Sequence, residues 1–478
     1  MVPNLSRLAK YASIDAAQLQ RQFDTSAESL SPRGQAVLSA ILEVAEATAN
    51  TRVPGAAVVP TLLRLVEEIA GQSTARAGED ATTIRAGLRR VVSAKTLHSL
   101  RELRLYRDAD GVEPVWPHAG MLILNPFLGC SFGCAYCFRA DEQQSNVDWF
   151  LNGRPTQVVS EETVVEQLAR HPLFVPGVTQ LGLHTATTEP FLPQVKESTF
   201  RLLDLLDERG WHNDVMVITK HYLTAEDAAR LASYTSVRLL MFLTYNAAPA
   251  EMETMGGARG FRERRFESID HLARYPHIAA AHYYRPIVPG WNDSDDQITD
   301  ALTFGERLGL TVIGGLKEIP DLVTITRRRG LSLPTVASGP AGEKYFPPSL
   351  VDRILGIHRD LGLTSTVVGD QSCGLTVMMS GRAGSAVSNV EALKMYDALS
   401  PRRPKCMALC PPDQLAACAR PPAPALATVH RLLAHIGFDG AAEVTETCVR
   451  LRSAVSPSTA ELDSLSAHLR YAVTWQPA

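Results

Sequence analysis

Short apolar stretches alternate with amphipathic patterns six times between about residues 118 and 320 of this 478-residue chain. Strands separated by helices of ordinary length are typical of βαβ units, whose strands run parallel. Six units predict an α/β fold of the partial (β/α)6 TIM-barrel type, with reactive groups on loops at the carboxyl ends of the strands. The predicted strands are MLILNP (121–126), TQLGLHT (179–185), DVMVITK (214–220), SVRLLMFLT (236–244), IAAAHYYRPIV (278–288) and LTVIGGL (310–316).

Helical patterns fill the intervals between these strands. The first of them opens with Ser160-x-x-Thr163, which is similar to a capping box and predicts a helix start there. The five patterns are SEETVVEQLARH (160–171), ESTFRLLDLLDERG (197–210), TAEDAARLASY (224–234), FRERRFESIDHLARY (261–275) and DSDDQITDALTFGERLG (293–309).

The length of the chain predicts more than one domain. Residues 1–108 carry apolar positions three and four apart without a strand pattern, which predicts an N-terminal helical domain. Residues 109–335 form the strand–helix core. Residues 336–478 are predicted as an α-rich C-terminal region that contains cysteines.

Composition narrows the class of protein. An apolar content of 45% and a charged content of 21% are typical of a globular protein, and the net charge of −4 gives no overall attraction to nucleic acid. The sequence contains no run of about 18 apolar residues, so no membrane span is predicted. The first residues lack the pattern of a secretory signal, so a cytoplasmic location without membrane partners is expected.

Three of the eight cysteines lie within NPFLGCSFGCAYCFRAD, directly after the first predicted strand, with the spacing C-x3-C-x2-C. Cysteines this close are poorly placed for disulfide geometry, and structural zinc usually takes four ligands from separated pairs. Three thiolates on one loop, Cys130, Cys134 and Cys137, suit an iron–sulfur cluster that keeps one iron without a protein ligand. Structural zinc and isolated buried thiols are the alternatives.

This motif, with Tyr136 before its last cysteine, resembles that of the radical S-adenosylmethionine (SAM) enzymes. The resemblance implies that Cys130, Cys134 and Cys137 are catalytic and hold three irons of a [4Fe–4S] cluster, while SAM chelates the fourth. It also implies reductive cleavage of SAM to a 5′-deoxyadenosyl radical, with electrons from a reductant such as flavodoxin or ferredoxin.

Further stretches resemble the SAM-binding elements of that superfamily. In HTATTEPFLP, Thr188 and Glu189 stand where the family often has Gly-Glu, and the resemblance implies a bond from SAM's ammonium group to Glu189. The implied cofactor-binding residues are Tyr136, Thr188, Glu189, Thr219 and Lys220 of ITKHYLT, Thr244 of FLTYNA, and Pro289 of the PGWND turn.

Together NPFLGCSFGCAYCF, TATTEPFLP, TKHYL and RPIVPGWND are similar to the spore photoproduct lyase-like branch. The second element departs from the Asp-Pro-Tyr-Gln-Pro that the branch often carries. The match covers roughly residues 120–320, and both ends of the chain lie outside it. The resemblance therefore favours the radical chemistry over a DNA-lesion substrate.

Other residues have two interpretations. Lys220 is either a solvated lysine or a group near SAM or the substrate. Four residues at strand ends are expected as core or lining residues, with a catalytic role as the alternative: His184, His282, Tyr284 and Arg285. Strand alternation puts His282 and Tyr284 on the side opposite Arg285. The basic clusters GFRERRF (260–266) and TITRRRG (324–330) are expected as solvated faces, with phosphate binding as the alternative.

The C-terminal cysteines allow a second metal site. Cys373, Cys406, Cys410 and Cys418 could ligate an auxiliary [4Fe–4S] cluster, a zinc ion, or nothing. Cys448, in a helical pattern, is expected as a small buried residue, with hydrogen-atom donation as the alternative.

The functional expectation is a radical SAM enzyme of the oxidoreductase or lyase type that abstracts hydrogen from a small molecule or peptide. Repair or modification of nucleic acid by the same chemistry is one alternative. A non-catalytic iron–sulfur electron-transfer or scaffold protein is an alternative of another class.

Overall fold

The computed structural model describes thirteen stretches of the chain. Cys406, Cys410, Cys418, the predicted helical domain at 1–108 and the basic cluster at 324–330 lie outside them. The described residues are 114–137, 155–157, 159–171, 173–185, 188–253, 260–317, 344–345, 347–369, 371–379, 422–438, 440–454, 457 and 459–477.

Strands and helices alternate through the first half of the described chain. The strands are β1 (Val115–His118), β2 (Met121–Leu124), β3 (Phe127–Leu128), β4 (Thr156–Gln157), β5 (Leu181–Leu183), β6 (Asp214–Thr219), β7 (Arg238–Thr244), β8 (Ala279–Ile287), β9 (Leu310–Lys317), β10 (Lys344–Tyr345), β11 (Thr366–Val368), β12 (Ala441–Val444), β13 (Val449–Ser453) and β14 (Val473–Pro477). The helices are α1 (Glu161–Arg170), α2 (Lys196–Glu208), α3 (Ala225–Ala232), α4 (Phe261–Ala273), α5 (Asp295–Glu306), α6 (Pro348–Asp360), α7 (Gln371–Met379), α8 (Leu426–His435) and α9 (Thr459–Leu469).

The main sheet is mostly parallel, which confirms the predicted α/β class. Strands β2, β5, β6, β7, β8 and β9 are neighbours in chain order and pair in parallel, and β11 adds in parallel to β9. Strands β1 and β10 pair antiparallel at the two ends of this order. The six predicted strands differ from the observed ones by two residues or fewer at each end. The order is an open path, so the described strands do not form a closed barrel.

The two faces of this sheet pack against different helices. Side chains of α1 to α5 cover one face, where they meet Val215, Val217 and Met241 among others. The opposite face, called the α7 face here, carries Met216, Phe242 and other apolar residues of β2, β8 and β9, and it packs against α7. Alternation along each strand produces these faces because successive side chains point to opposite sides. A polar side chain that follows the last apolar residue of a strand on the α7 face therefore lies past the apolar layer, at the carboxyl edge of the sheet.

Capping residues start the helices where they were expected. The Ser160 hydroxyl accepts the Thr163 amide at 3.3 Å at the start of α1. Thr224 and Ser294 form capping boxes at the starts of α3 and α5. Each cap satisfies amide groups that have no partner within the helix. The caps therefore set where each helix begins and where the loop from the preceding strand ends.

The main sheet continues beyond the boundary predicted at residue 335. Strand β11 pairs with β9, and α7 packs on the α7 face of the sheet, so residues up to Met379 add to the core. The described residues from 422 onward form a three-stranded sheet, β12-β13-β14, with α8 and α9. The sequence did not predict this small sheet, because its strands are too short to be distinguished from helical spacing. None of the described helices has the length and apolarity needed to cross a membrane.

Candidate functional site

The cysteine loop follows β2 and turns at two glycines with left-handed backbone, Gly129 (φ 89°) and Gly133 (φ 77°). Such φ values favour glycine because it has no Cβ. Cys134 forms an isolated antiparallel bridge with Glu253, in the loop after β7, and the Ala135 amide donates to the Met252 carbonyl at 2.8 Å. The loop is therefore held between the carboxyl ends of two strands of the main sheet.

The three thiols lie close enough to influence one another. Cys134 is buried, while Cys130 and Cys137 are half-buried. Burial raises the pKa of Cys130 to about 12 and that of Cys134 well above its ordinary value, and the charges of the neighbouring cysteines act in the same direction. Thiolates at these positions need a compensating positive charge, which an iron cluster supplies. The buried, mutually close thiols thus fit a cluster.

Within the described ranges, no group of three or more His, Cys, Asp or Glu side chains is arranged to hold a metal ion. Zinc requires its ligands to converge, because they all bind one atom. A four-iron cluster binds each thiolate through a different iron, so it does not require that convergence.

Glu189 is buried, 6% exposed, and its carboxylate lies between two strand ends. It accepts the Phe191 amide at 3.3 Å, the Lys220 amide at 2.8 Å and the Thr219 hydroxyl. Its charge also raises the pKa of Cys130, so it lies near the cysteine loop. The structure therefore brings together three predicted residues, Glu189, Thr219 and Lys220, from two separate stretches beside the cysteines.

Lys220 is not a solvated lysine. Its Nζ donates to the Tyr136 hydroxyl and to Glu253, each at 2.7 Å, and lies 4.9 Å from the Tyr136 ring centroid. Burial lowers its pKa to about 8, whereas the nearby charge of Cys134 acts in the opposite direction. The ammonium group thus holds the tyrosine of the cysteine motif in place.

The sequence pattern did not point to Glu253 or Arg265, which complete this network. Arg265 donates from Nη2 to Glu253 at 3.2 Å and from Nε to the Lys220 carbonyl at 2.7 Å. Both side chains are almost fully buried. Arg265 lies four residues after Phe261 and four before Ile269, which are both buried, and this spacing was the signal for a buried position in α4.

The cluster at 260–266 was expected as a solvated face, and this is wrong for Arg265. Its neighbours behave as expected: Arg264 donates to the Tyr222 hydroxyl at 2.9 Å, and Arg262 pairs with Asp300, both at exposed positions. Each of these arginines has a partner on the protein. The cluster therefore does not form a free basic face.

The PGWND turn joins the same network through asparagines. The turn starts at Pro289, two residues after the end of β8, and the Gly290 amide donates to Asp293 at 2.7 Å. Asn292 accepts the Val288 amide and donates to the Asn246 carbonyl, each at 2.7 Å. Asn246 in turn donates to the Tyr136 hydroxyl at 3.0 Å. The turn, the loop after β7 and the cysteine loop are thus linked.

Two other predicted cofactor-binding residues have hydroxyl groups without a partner among the described residues. The hydroxyl oxygens of Thr188 and Thr244 are buried and make no hydrogen bond within the described chain. His184, at the end of β5, is fully buried, neither of its ring nitrogens is hydrogen-bonded to a described residue, and burial lowers its pKa to about 3. Buried polar groups without partners are uncommon and require an explanation, such as a ligand or water.

His282 and Tyr284 are core residues, as expected. His282 contacts the Tyr245 carbonyl at 2.6 Å through Nε2 and the Thr311 hydroxyl at 3.2 Å through Nδ1. Its ring stacks on Tyr284, and the Tyr284 hydroxyl donates to the Asn292 carbonyl at 3.2 Å. Arg285 belongs to the opposite face of β8, because Tyr283, over whose ring it lies, packs on the α7 face.

The C-terminal cysteines are only partly described. Cys373 is buried in α7 among apolar residues of the α7 face, and the other three candidate ligands of a second cluster lie outside the described residues. Cys448 does not lie in a helix: it directly precedes β13, is half-buried, and its sulfur lies 3.6 Å from the hydroxyls of Thr445 and Thr474. The helical interpretation of Cys448 was wrong because the region folds as a small sheet.

No protein-family model matches the chain, and no curated protein gives a significant match.

Proposed function

We propose that this protein is a radical SAM enzyme that holds a [4Fe–4S] cluster on Cys130, Cys134 and Cys137. One observation carries the proposal: three mutually close thiols lie on a loop after the first parallel strand, with the buried Glu189 carboxylate beside Cys130. Parallel α/β sheets place their reactive groups at this edge. In this proposal the sheet is the partial (β/α)6 barrel expected from the sequence.

When bound, the cluster and SAM would supply reductive cleavage of a C–S bond and the resulting 5′-deoxyadenosyl radical. The protein's own groups would bind and orient the cofactor. Glu189, held by two amides and the Thr219 hydroxyl, would accept a charge-assisted hydrogen bond from an ammonium group. Phe127 and Phe132, both buried beside the cysteines, would exclude water.

The substrate is proposed as a small molecule or peptide, and the reductant as a flavodoxin- or ferredoxin-type protein. Nucleic acid is disfavoured as the substrate by the net charge of −4 and by the pairing of the arginines at 260–266 with protein groups. A second cluster on Cys373, Cys406, Cys410 and Cys418 would accept an electron from a substrate radical and would favour oxidation as the reaction.

Anaerobic reconstitution with iron and sulfide, followed by reduction and addition of SAM, tests the proposal. We expect about four irons per chain for the motif cluster, a spectral change on addition of SAM, and release of 5′-deoxyadenosine. The electron-transfer or scaffold alternative would be supported instead if the cluster is intact, its spectrum does not change on addition of SAM, and no 5′-deoxyadenosine is formed.

A triple variant, Cys130→Ala/Cys134→Ala/Cys137→Ala, separates the two cluster sites. It should lose SAM cleavage completely, and Cys448→Ala is the matched control that should retain it. About four irons remaining in the triple variant would support a second cluster, and a variant without iron would reject it.

Binding to lesion-containing DNA that weakens steeply with salt would favour the nucleic-acid alternative.

A further inference from the structure

Arg285, near the carboxyl end of β8, is a buried cation without an anionic partner in the described part of the chain. It is 6% exposed, its Nη1 atom makes no hydrogen bond, and none of the ion pairs between described residues includes it. A guanidinium group cannot lose its charge at ordinary pH, and burying it unpaired is unfavourable. A buried arginine of this kind therefore indicates a missing anion.

Neighbouring residues hold the guanidinium group in one position. Its Cζ atom lies 5.0 Å from the centroid of the Tyr283 ring. On the adjacent strand β9, a Cβ atom at Gly314 would lie 2.9 Å from Cζ of Arg285, which is closer than real contacts allow. The absence of a side chain at Gly314 therefore makes room for the group. A planar guanidinium that is already positioned suits recognition of a carboxylate or phosphate.

Among the described residues, no acidic side chain pairs with Arg285. The Tyr283 hydroxyl, on the same face, donates to the neutral Gln371 amide oxygen at 3.0 Å. Thr244 pairs in register with Tyr283 on the adjacent strand, and its buried hydroxyl also lacks a partner within the described residues. A second unbonded polar group next to the unpaired arginine indicates a ligand rather than an isolated defect.

We propose that Arg285 binds the carboxylate or phosphate group of a ligand on the α7 face, at the edge where β7 and β8 end, with Thr244 as a further hydrogen-bonding group. This inference rests on the proposed function for the identity of the ligand, which is either an anionic substrate or SAM through its own carboxylate. The anion site itself does not depend on the cluster, so it can be tested in protein without iron.

The first test measures thermal unfolding of the full-length chain without iron, in inorganic phosphate and in chloride at equal ionic strength. Phosphate should raise the unfolding temperature of the natural protein and of the exposed-arginine control Arg307→Gln. It should not raise that of Arg285→Met, or of Gly314→Ala, in which the guanidinium must move. An equal response of Arg285→Met and the natural protein would overturn the proposal.

Stability without a ligand gives a second, independent readout. Removing a charge that has no partner should leave the unfolding temperature of Arg285→Met in chloride unchanged or higher. An arginine with structural partners would instead lower it on removal. A clear loss of stability in chloride would therefore overturn the proposal, even if the phosphate effect were absent from the variant.

Binding of SAM and of decarboxylated SAM to the reconstituted protein separates the two sources of the anion. If Arg285 binds SAM, Arg285→Met should weaken SAM about tenfold or more and leave the decarboxylated analogue unaffected. If Arg285 binds the substrate, both affinities should be unchanged while the phosphate effect is lost. Failure of SAM to bind at all would count against the proposed function, whereas the phosphate result would still decide the anion site.

Discussion

Two groups of buried charged and polar residues lie at the same edge of the main sheet, and they differ in whether their hydrogen bonds are satisfied. Beside the cysteine loop, Lys220, Glu253 and Arg265 bond to one another and to Tyr136. On the strand ends, Arg285 and three neutral residues have buried atoms without partners among described residues: His184, Thr188 and Thr244.

The comparison separates two kinds of role. A network that satisfies its own groups is costly to break and positions the loop that it contacts. Groups that lack partners contribute little to the stability of the protein without ligand, and their position is explained by what binds there. The difference predicts that substitutions in the two groups have opposite effects on the free energy of unfolding.

The largest expected effect is that of Glu253→Gln. Both Lys220 and Arg265 would then be buried without a carboxylate, which costs about 3–5 kcal/mol in the free energy of unfolding. Urea denaturation of the full-length protein measures this loss. Asp270→Asn, which removes an exposed ion pair between α4 and Arg307 at the end of α5, is the matched control and should change it by less than about 1 kcal/mol. Equal losses of unfolding free energy in the two variants would contradict the view that the buried network stabilises the protein more than an exposed ion pair does.

A pH series on His184→Asn is expected to give the next largest effect. The pKa of His184 is about 3 in the folded protein and about 6.5 when unfolded. Between these values only the unfolded chain binds the proton, so the stability due to His184 falls as the pH falls. Asparagine tolerates the left-handed backbone of this position, φ 52°, and does not titrate.

The natural protein should therefore lose about 2 kcal/mol more than His184→Asn between pH 7 and pH 5. Denaturant unfolding at several pH values checks this difference. Between pH 7 and pH 8 the difference between the two proteins should stay constant, which serves as the internal control. Parallel losses of stability down to pH 5 would show that the folded protein binds a proton at His184 as readily as the unfolded chain does, which would contradict burial of this ring without a partner.

A pair of threonine substitutions should give the smallest effect and the closest comparison. Thr219→Val removes the hydroxyl that donates to Glu189 and should cost about 1–2 kcal/mol of stability. Thr244→Val removes a buried hydroxyl without a partner, so stability should be unchanged or slightly higher. Thermal unfolding of both variants measures the contrast, and a larger loss for Thr244→Val would reverse the assignment of the two groups.

Much of the fold followed from local pattern. The six strands were predicted to within two residues at each end because β-branched and aliphatic stretches between capped helices leave few alternatives. The grouping of Glu189, Thr219 and Lys220 was also predictable, because the carboxyl ends of parallel strands meet at one edge. The small C-terminal sheet was missed because its strands have only four or five residues.

The amino-acid sequence by itself determined the parallel α/β sheet and the position of Cys130, Cys134 and Cys137 after its first strand, because both depend on spacing along the chain. Only the tertiary structure decided that Glu253 and Arg265 support the cysteine loop and that Arg285 has no anionic partner among the described residues. Pairing of buried charges depends on which distant segments come within about 4 Å of each other, and no local pattern records that distance.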